Sequence, residues 1–441
     1  MPPRRRYPDL PAFPFPFSAD AGEARANEVM AEELPGLVTS VLGDLLHEAL
    51  SWTRAASPSK RRRNAAPETD ALPADLARHV RRTLQLLREE PDSETPQAVG
   101  LGLLLVGEWA EAAGALRSAV VFYQAALLAI PDNVPMTYHV GRLLRRLAMY
   151  DEAEAWLLHV METADGAQNW ESHALALSGL GNLKRERGNF PEAVRFHRLA
   201  LRSAREYGVR RLEGDALYDL AVMYFERGDL KNGMRYAREA IGAYGPGHSQ
   251  LVRMTNDLAW IWMHLHGQPR LALQLFQEIE PRVQDPAFRA VLLANIARAA
   301  AELGAEQVYE LAWLEAYAFI RKQDTDEGHA AAFAQLALAS LAALQLERAR
   351  QAASMCRAIA ERRHENRSII MAEQILNATA QGLPEPEQMR ELFPAFTLGE
   401  RRMSARRLER DEDFAATVSG AVRARRDDAP ESPVRALVRG N

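Results

Sequence analysis

The sequence predicts an all-α superhelical solenoid of stacked antiparallel helix pairs, with extended or disordered N- and C-terminal segments. Three observations carry that prediction. Apolar residues recur at i, i+3, i+4 and i+7 through long Ala-, Leu-, Arg- and Glu-rich stretches, with almost no strand-like alternation. Short turns marked by Gly, Asn, Asp or Pro separate those stretches. One helix-pair skeleton also returns along the chain, so its 441 residues read as copies of a unit, not as two to four unlike domains.

From the N-terminus, residues 1–25 form a Pro- and aromatic-rich segment in which Tyr7, Phe13, Phe15 and Phe17 are interleaved with prolines. It is expected to be disordered, without a core. Residues 26–54 read as one amphipathic helix with Leu37, Val41, Leu45 and Leu46 on its apolar side. A basic linker spans 55–74 and holds Lys60, Arg61, Arg62 and Arg63. The solenoid occupies 75–381, opening with a helix over 75–90 and closing with a capping helix over Ser368–Gln381. Residues 382–441 are a charged tail with short helices expected at Glu400–Arg410 and Phe414–Arg426.

The repeated skeleton is clearest in Leu180-Gly181-Asn182-Leu183 followed by Gly188-Asn189-Phe190-Pro191-Glu192-Ala193 and Ala200. Its equivalents are built around Gly107, Gly141, Ala221, Ala259, Ala297 and Ala337, the last three copies being degenerate. A small residue in the first helix allows the second to approach closely, with Ala153, Ala193 and Ala349 expected opposite it. A Gly or small residue seven positions on ends the first helix, commonly in the left-handed conformation. Asn or Asp then caps the second helix, and Pro191 suits its first turn. One such pair cannot bury its apolar face alone, so copies must stack.

This pattern resembles the tetratricopeptide-repeat family over roughly residues 96–360, as about seven helix pairs. The intervals between equivalent small residues are 34, 40, 40, 38, 38 and 40 residues. Against the family's usual 34, most helices should be longer by about a turn. Such lengthened, partly degenerate repeats are similar to those of bacterial regulatory and adaptor proteins.

Composition narrows the function classes. The formal net charge is −5, which argues against a dedicated nucleic-acid binder, and no recognition-helix pattern accompanies the basic linker. Arginine outnumbers lysine by 50 to 4, which reads as a GC-rich bacterial genome. Cys356 stands alone, so no intrachain disulfide forms. No apolar run is long enough to span a membrane, and Phe13-Pro-Phe-Pro-Phe17 breaks any signal-peptide core, so a cytoplasmic location is expected.

Signatures of catalysis are missing. No zinc-protease, phosphate-loop or nucleophile-elbow motif occurs, so no enzyme activity, cofactor or metal is expected. Cys356 reads as a core residue. His264 and His266 point to opposite sides of a helix and cannot chelate together, one being expected at the surface and the other near the turn before Gly267.

The resemblance implies that first helices line a concave, peptide-binding groove. Registering on the small residues puts Tyr138, Arg142, Arg145 and Arg146 there from one copy and Asn182 and Arg185 from the next. Tyr218, Asn256 and Arg298 follow from later copies. Asn can bond a peptide backbone with donor and acceptor, and Arg can hold a carboxylate through two parallel bonds. The expected partner is a protein or peptide with an acidic or C-terminal segment, and the expected role an adaptor or scaffold. The bland reading is ordinary exposed arginines. The family's clamp for a C-terminal carboxylate is not matched, because Ser178 stands where it uses Lys, and Asp215 and Asp219 follow in the next copy. The alternative function is a bacterial regulator sensing a short signalling peptide in the same groove. Another is self-regulation, with Tyr7–Phe17 or the 26–54 helix occupying the groove.

Overall fold

A computed structural model of the chain describes residues 19–54, 69–70, 72–166, 168–322, 328–363, 365–380, 382 and 405–423. Every regular element among the described residues is helical. Two compact units divide the chain, residues 1–219 and 220–441.

The first unit holds α1 (Ala19–Glu33), α2 (Gly36–Arg54), α3 (Ala74–Arg88), α4 (Thr95–Ala112) and α5 (Leu116–Ala129). It continues through α6 (Val134–Arg146), α7 (Tyr150–Gly166), α8 (Trp170–Glu186), α9 (Phe190–Glu206) and the start of α10 (Arg210–Glu226). Hairpins α4/α5, α6/α7 and α8/α9 stack on one another, and α6 also touches α8 directly. Helix lengths follow the repeat intervals. The 34-residue step has α5 and α6 of 14 and 13 residues, and the next copies use helices of 17.

The expected turn chemistry is present. Asn133, Asn169 and Asn189 each accept a hydrogen bond from the backbone N–H three residues on, capping α6, α8 and α9. First helices end in a left-handed residue at Gly114, Gly188, Gly228, Gly267 and Gly304, and also at Ala148 (φ 59°) and Leu344 (φ 58°). The close approach occurs one turn beyond the alanines expected to face it. A Cβ on Gly107 would meet the Tyr123 ring at 2.6 Å, one on Gly181 the His197 ring at 2.6 Å, and one on Gly141 the Leu157 side chain at 3.0 Å.

The N-terminal helix differs from the sequence expectation. Two helices replace the single one over 26–54, because Pro35 has no N–H to continue the ladder, and the first already begins at Ala19. α1 packs on α2 and α5, and its last residue completes α5. The Glu33 carboxylate accepts hydrogen bonds from the backbone N–H groups of Arg117 (3.1 Å) and Ser118 (2.8 Å) and from the Ser118 hydroxyl. α5 has no cap from its own Ala115, so a carboxylate from a distant segment serves its open N-terminus. Residues 1–18 and Lys60–Arg63 lie outside the described residues.

The second unit holds the remainder of α10, then α11 (Leu230–Tyr244), α12 (Gln250–His266), α13 (Pro269–Ile279) and α14 (Pro286–Glu302). It ends with α15 (Glu306–Ile320), α16 (His329–Ala342), α17 (Leu346–Arg363), α18 (Asn366–Thr379) and α19 (Ala405–Arg423). The three degenerate copies are the hairpins α12/α13, α14/α15 and α16/α17, and α18 packs on α16 and α17. In the tail, one helix stands where two short ones were expected. α19 packs on α12 and α13, burying Phe414, Ala415, Val418 and Val422. The Phe414 ring meets Trp262 edge-on, Arg423 pairs with Glu278 at 2.7 Å, and Gly247 N–H donates to Ala421 C=O at 2.8 Å.

Candidate functional site

In the first unit, first helices stand side by side and exchange side-chain bonds from one copy to the next. Arg142 donates to both carboxylate oxygens of Glu111 (2.7 and 2.6 Å), and Arg146 bonds the same carboxylate at 3.0 Å. Arg145 pairs with Glu186. Asn182 donates to Asp219, and Arg185 acts on the same carboxylate electrostatically. The result is a ladder from α4 through α6 and α8 to α10. Desolvation opposes the charge on Glu111, but Arg142 and Arg146 outweigh it and hold the carboxyl below its usual range.

Seven of the nine residues expected in the groove belong to this one unit. Tyr138, half-buried, packs against the cluster of Val134, Val160, Ala164 and Ala176, and burial raises its hydroxyl pKa. Tyr218 stands half-buried on α10, between Asp215 and Asp219 in the chain. The sequence reading names the arginines, and Asp215 and Asp219 in the next copy, but not Glu111 and Glu186, which pair with the arginines. Glu111 pairs with Arg142 and Arg146, and Glu186 with Arg145, so much of the expected positive patch is already paired within the protein.

The remaining two residues need correction. Asn256 and Arg298 are 6% and 1% exposed, so neither presents its polar group at a surface. Asn256 accepts from Asn295 at 3.1 Å. Arg298 donates to Glu302 (2.9 Å), His264 Nε2 (2.6 Å) and Gln335 (2.8 Å). His264 is thereby a buried partner of Arg298, contrary to the expected placement. The cause is close packing. α14 and α16 pack on each other, both rich in buried alanine, and Gln335 of α16 bonds the guanidinium across them.

His197 and Asp219 went unremarked as a pair. His197 occupies the core position sixteen residues after Gly181 that Tyr123 and Leu157 fill in the preceding copies. It is fully buried, and its Nδ1 lies 3.3 Å from Asp219 Oδ2. Desolvation, then Arg185 and Arg145, pushes the imidazole pKa down to about 3. Desolvation likewise lifts the Asp219 carboxyl to about 6 against the pull of Arg185, Arg145 and Asn182. A polar residue in an otherwise apolar register was the available signal. Cys356 is buried in the second unit as expected, and burial raises its thiol pKa to about 12.

Among the described residues, no group of three or more His, Cys, Asp or Glu could hold a metal ion, and no helix is long and apolar enough to cross a membrane. The tetratricopeptide repeat family matches residues 133–206, which span α6 to α9. A search of curated proteins gives no match. Among solved structures, the TPR2AB domain of yeast Sti1 in its pHSP90 complex is similar at 15% identity. That likeness covers 65% of this chain and 100% of that one, with a TM-score of 0.25.

Proposed function

We propose that this tetratricopeptide-repeat chain is a non-enzymatic adaptor or scaffold that binds a segment of a partner protein along the first helices of its first unit. The match over 133–206 supports a protein-interaction role in general. The observation that carries the finer reading is the convergence of Tyr138, Arg142, Arg145, Arg146, Asn182, Arg185 and Tyr218 on α6, α8 and α10. These side chains rest on rigid stacked hairpins, so a ligand meets donors already in position and the receptor loses little freedom on binding. Tyr138 and Tyr218 offer half-buried rings for apolar contact. An acidic stretch of the partner would take its place by exchange with Glu111 or Glu186. A bacterial cytoplasmic setting is part of the reading, supported by the Arg-over-Lys usage and the single, buried cysteine.

The test is native co-purification from the source lysate with mass spectrometry of both proteins and short peptides. Wild type is compared with a variant carrying Arg142→Gln, Arg145→Gln, Asn182→Ala and Arg185→Gln, its fold checked by circular dichroism. Loss of a protein partner from the folded variant is the expected result. Retention of every partner would remove these helices as the binding site.

A further inference from the structure

The ligand preference of this same site can be read one step further, resting on the reading above. α10 sets Asp215, Tyr218 and Asp219 at i, i+3 and i+4, one face of one helix. From α6, the Tyr138 hydroxyl lies within electrostatic reach of both carboxylates. Beneath them, α9 contributes His197, fully buried, with neither ring nitrogen hydrogen-bonded and Nδ1 3.3 Å from the Asp219 carboxylate. An imidazole in a core position that Tyr123 and Leu157 otherwise fill costs burial energy without a compensating bond.

The groups that act on Asp219 come from α6, α8, α9 and α10 itself. α6 brings Arg145, which is paired with Glu186. α8 brings Arg185 and Asn182, α9 brings His197, and α10 itself brings Asp215, which pairs with the exposed Arg211 at 3.5 Å. Even so, burial keeps the Asp219 carboxyl far above the usual range, near 6. The carboxylate is only 22% exposed, follows Tyr218 directly along α10 and lies within electrostatic reach of the Tyr138 hydroxyl. Carboxylate oxygens with aromatic faces are the chemistry that holds a guanidinium or ammonium group. An incoming carboxylate would meet Asp215 and Asp219 at this end instead.

We propose that Asp215, Tyr218 and Asp219, with Tyr138, form a subsite for a cationic side chain, an arginine or lysine, of the bound peptide. A cation there stabilises the ionised carboxylate, so binding releases a proton at mildly acidic pH. Affinity then rises with pH up to about 6, by at most about tenfold per pH unit, and levels off above.

The experiment is selection of a random dodecapeptide display library on the full chain, followed by titration of the enriched peptides. Baits are wild type, Asp219→Asn, Asp215→Asn and the fourfold groove variant, each checked by thermal melting. The expected result is an Arg or Lys fixed at one position and at least a tenfold loss of affinity in Asp219→Asn. The wild-type affinity should also rise between pH 5 and pH 7. Peptides without a fixed basic residue, captured equally by Asp219→Asn but lost by the groove variant, would overturn the subsite and leave the groove standing. Affinity falling with rising pH would overturn it likewise. Enrichment of nothing that the groove variant loses would overturn both.

Discussion

At Ala148 and Leu344 the chain adopts the left-handed conformation that five other copies assign to glycine. A Cβ in that conformation costs about 1–2 kcal/mol, partly offset by the entropy glycine loses on folding. Ala148→Gly and Leu344→Gly are therefore expected to stabilise their units by roughly 0.5–1 kcal/mol, read as a higher urea midpoint. Leu344 is 65% exposed, so its side chain forfeits little packing. His197 gives an opposite, pH-dependent case. Its folded pKa, about 3, lies below the unfolded value of 6.5. The unfolded chain thus binds more protons between those values, and stability drains away as pH falls from 6.5 toward 3. His197→Leu installs the residue that copy two already uses as Leu157. It should flatten the fall of melting temperature over that window, and an unchanged slope would dissociate acid sensitivity from this imidazole. Residue types alone gave Arg142 and Arg298 the same meaning, since each follows its small residue by one. Packing separates them: Arg298 is 1% exposed, whereas the Arg142 side chain keeps 27%.

Helices and their turns were the most legible level. Six hairpins, their terminators and several caps follow from spacing, because each depends on residues within one turn of one another. What depended on distant chain did not come through. Glu33 caps α5 across 84 residues of sequence, a contact that no local pattern encodes. The Pro35 break, by contrast, was written in the chain and lost beneath the apolar periodicity on either side of it. Removing the carboxylate tests the distant cap. Glu33→Ala leaves two backbone N–H groups and the Ser118 hydroxyl without it, at an expected cost of about 1–2 kcal/mol. Hydrogen exchange should quicken at Arg117 and Ser118 and through α1, while α8 and α9 keep their protection. Uniform acceleration would mean that α1 supports more than its neighbour.

On the scale of the whole molecule, stability in stacked hairpins is a sum of local terms, each repeat answering mainly to its neighbours. The tail helix adds one such term to the second unit. Phe414 is buried against Trp262, and Phe414→Ala is expected to cost about 3–5 kcal/mol there. Faster exchange should appear in α12 and α13, and α4 to α9 should be unaffected. The candidate site in the first unit was half visible by comparison: its cations, Asp215 and Asp219 could be named from register, but Glu111, Glu186 and the buried imidazole needed the neighbouring helices in place. That self-pairing has a consequence for how the surface responds to ionic strength. A ligand that takes Arg142 from Glu111 trades one contact ion pair for another and leaves the number of neutralised charges unchanged. Added salt then screens the free and bound states nearly alike, in contrast to a bare basic patch, whose affinity collapses as counterions compete. Discrimination on such a face comes from matching the order of charges, and it persists at salt concentrations where simple attraction is gone.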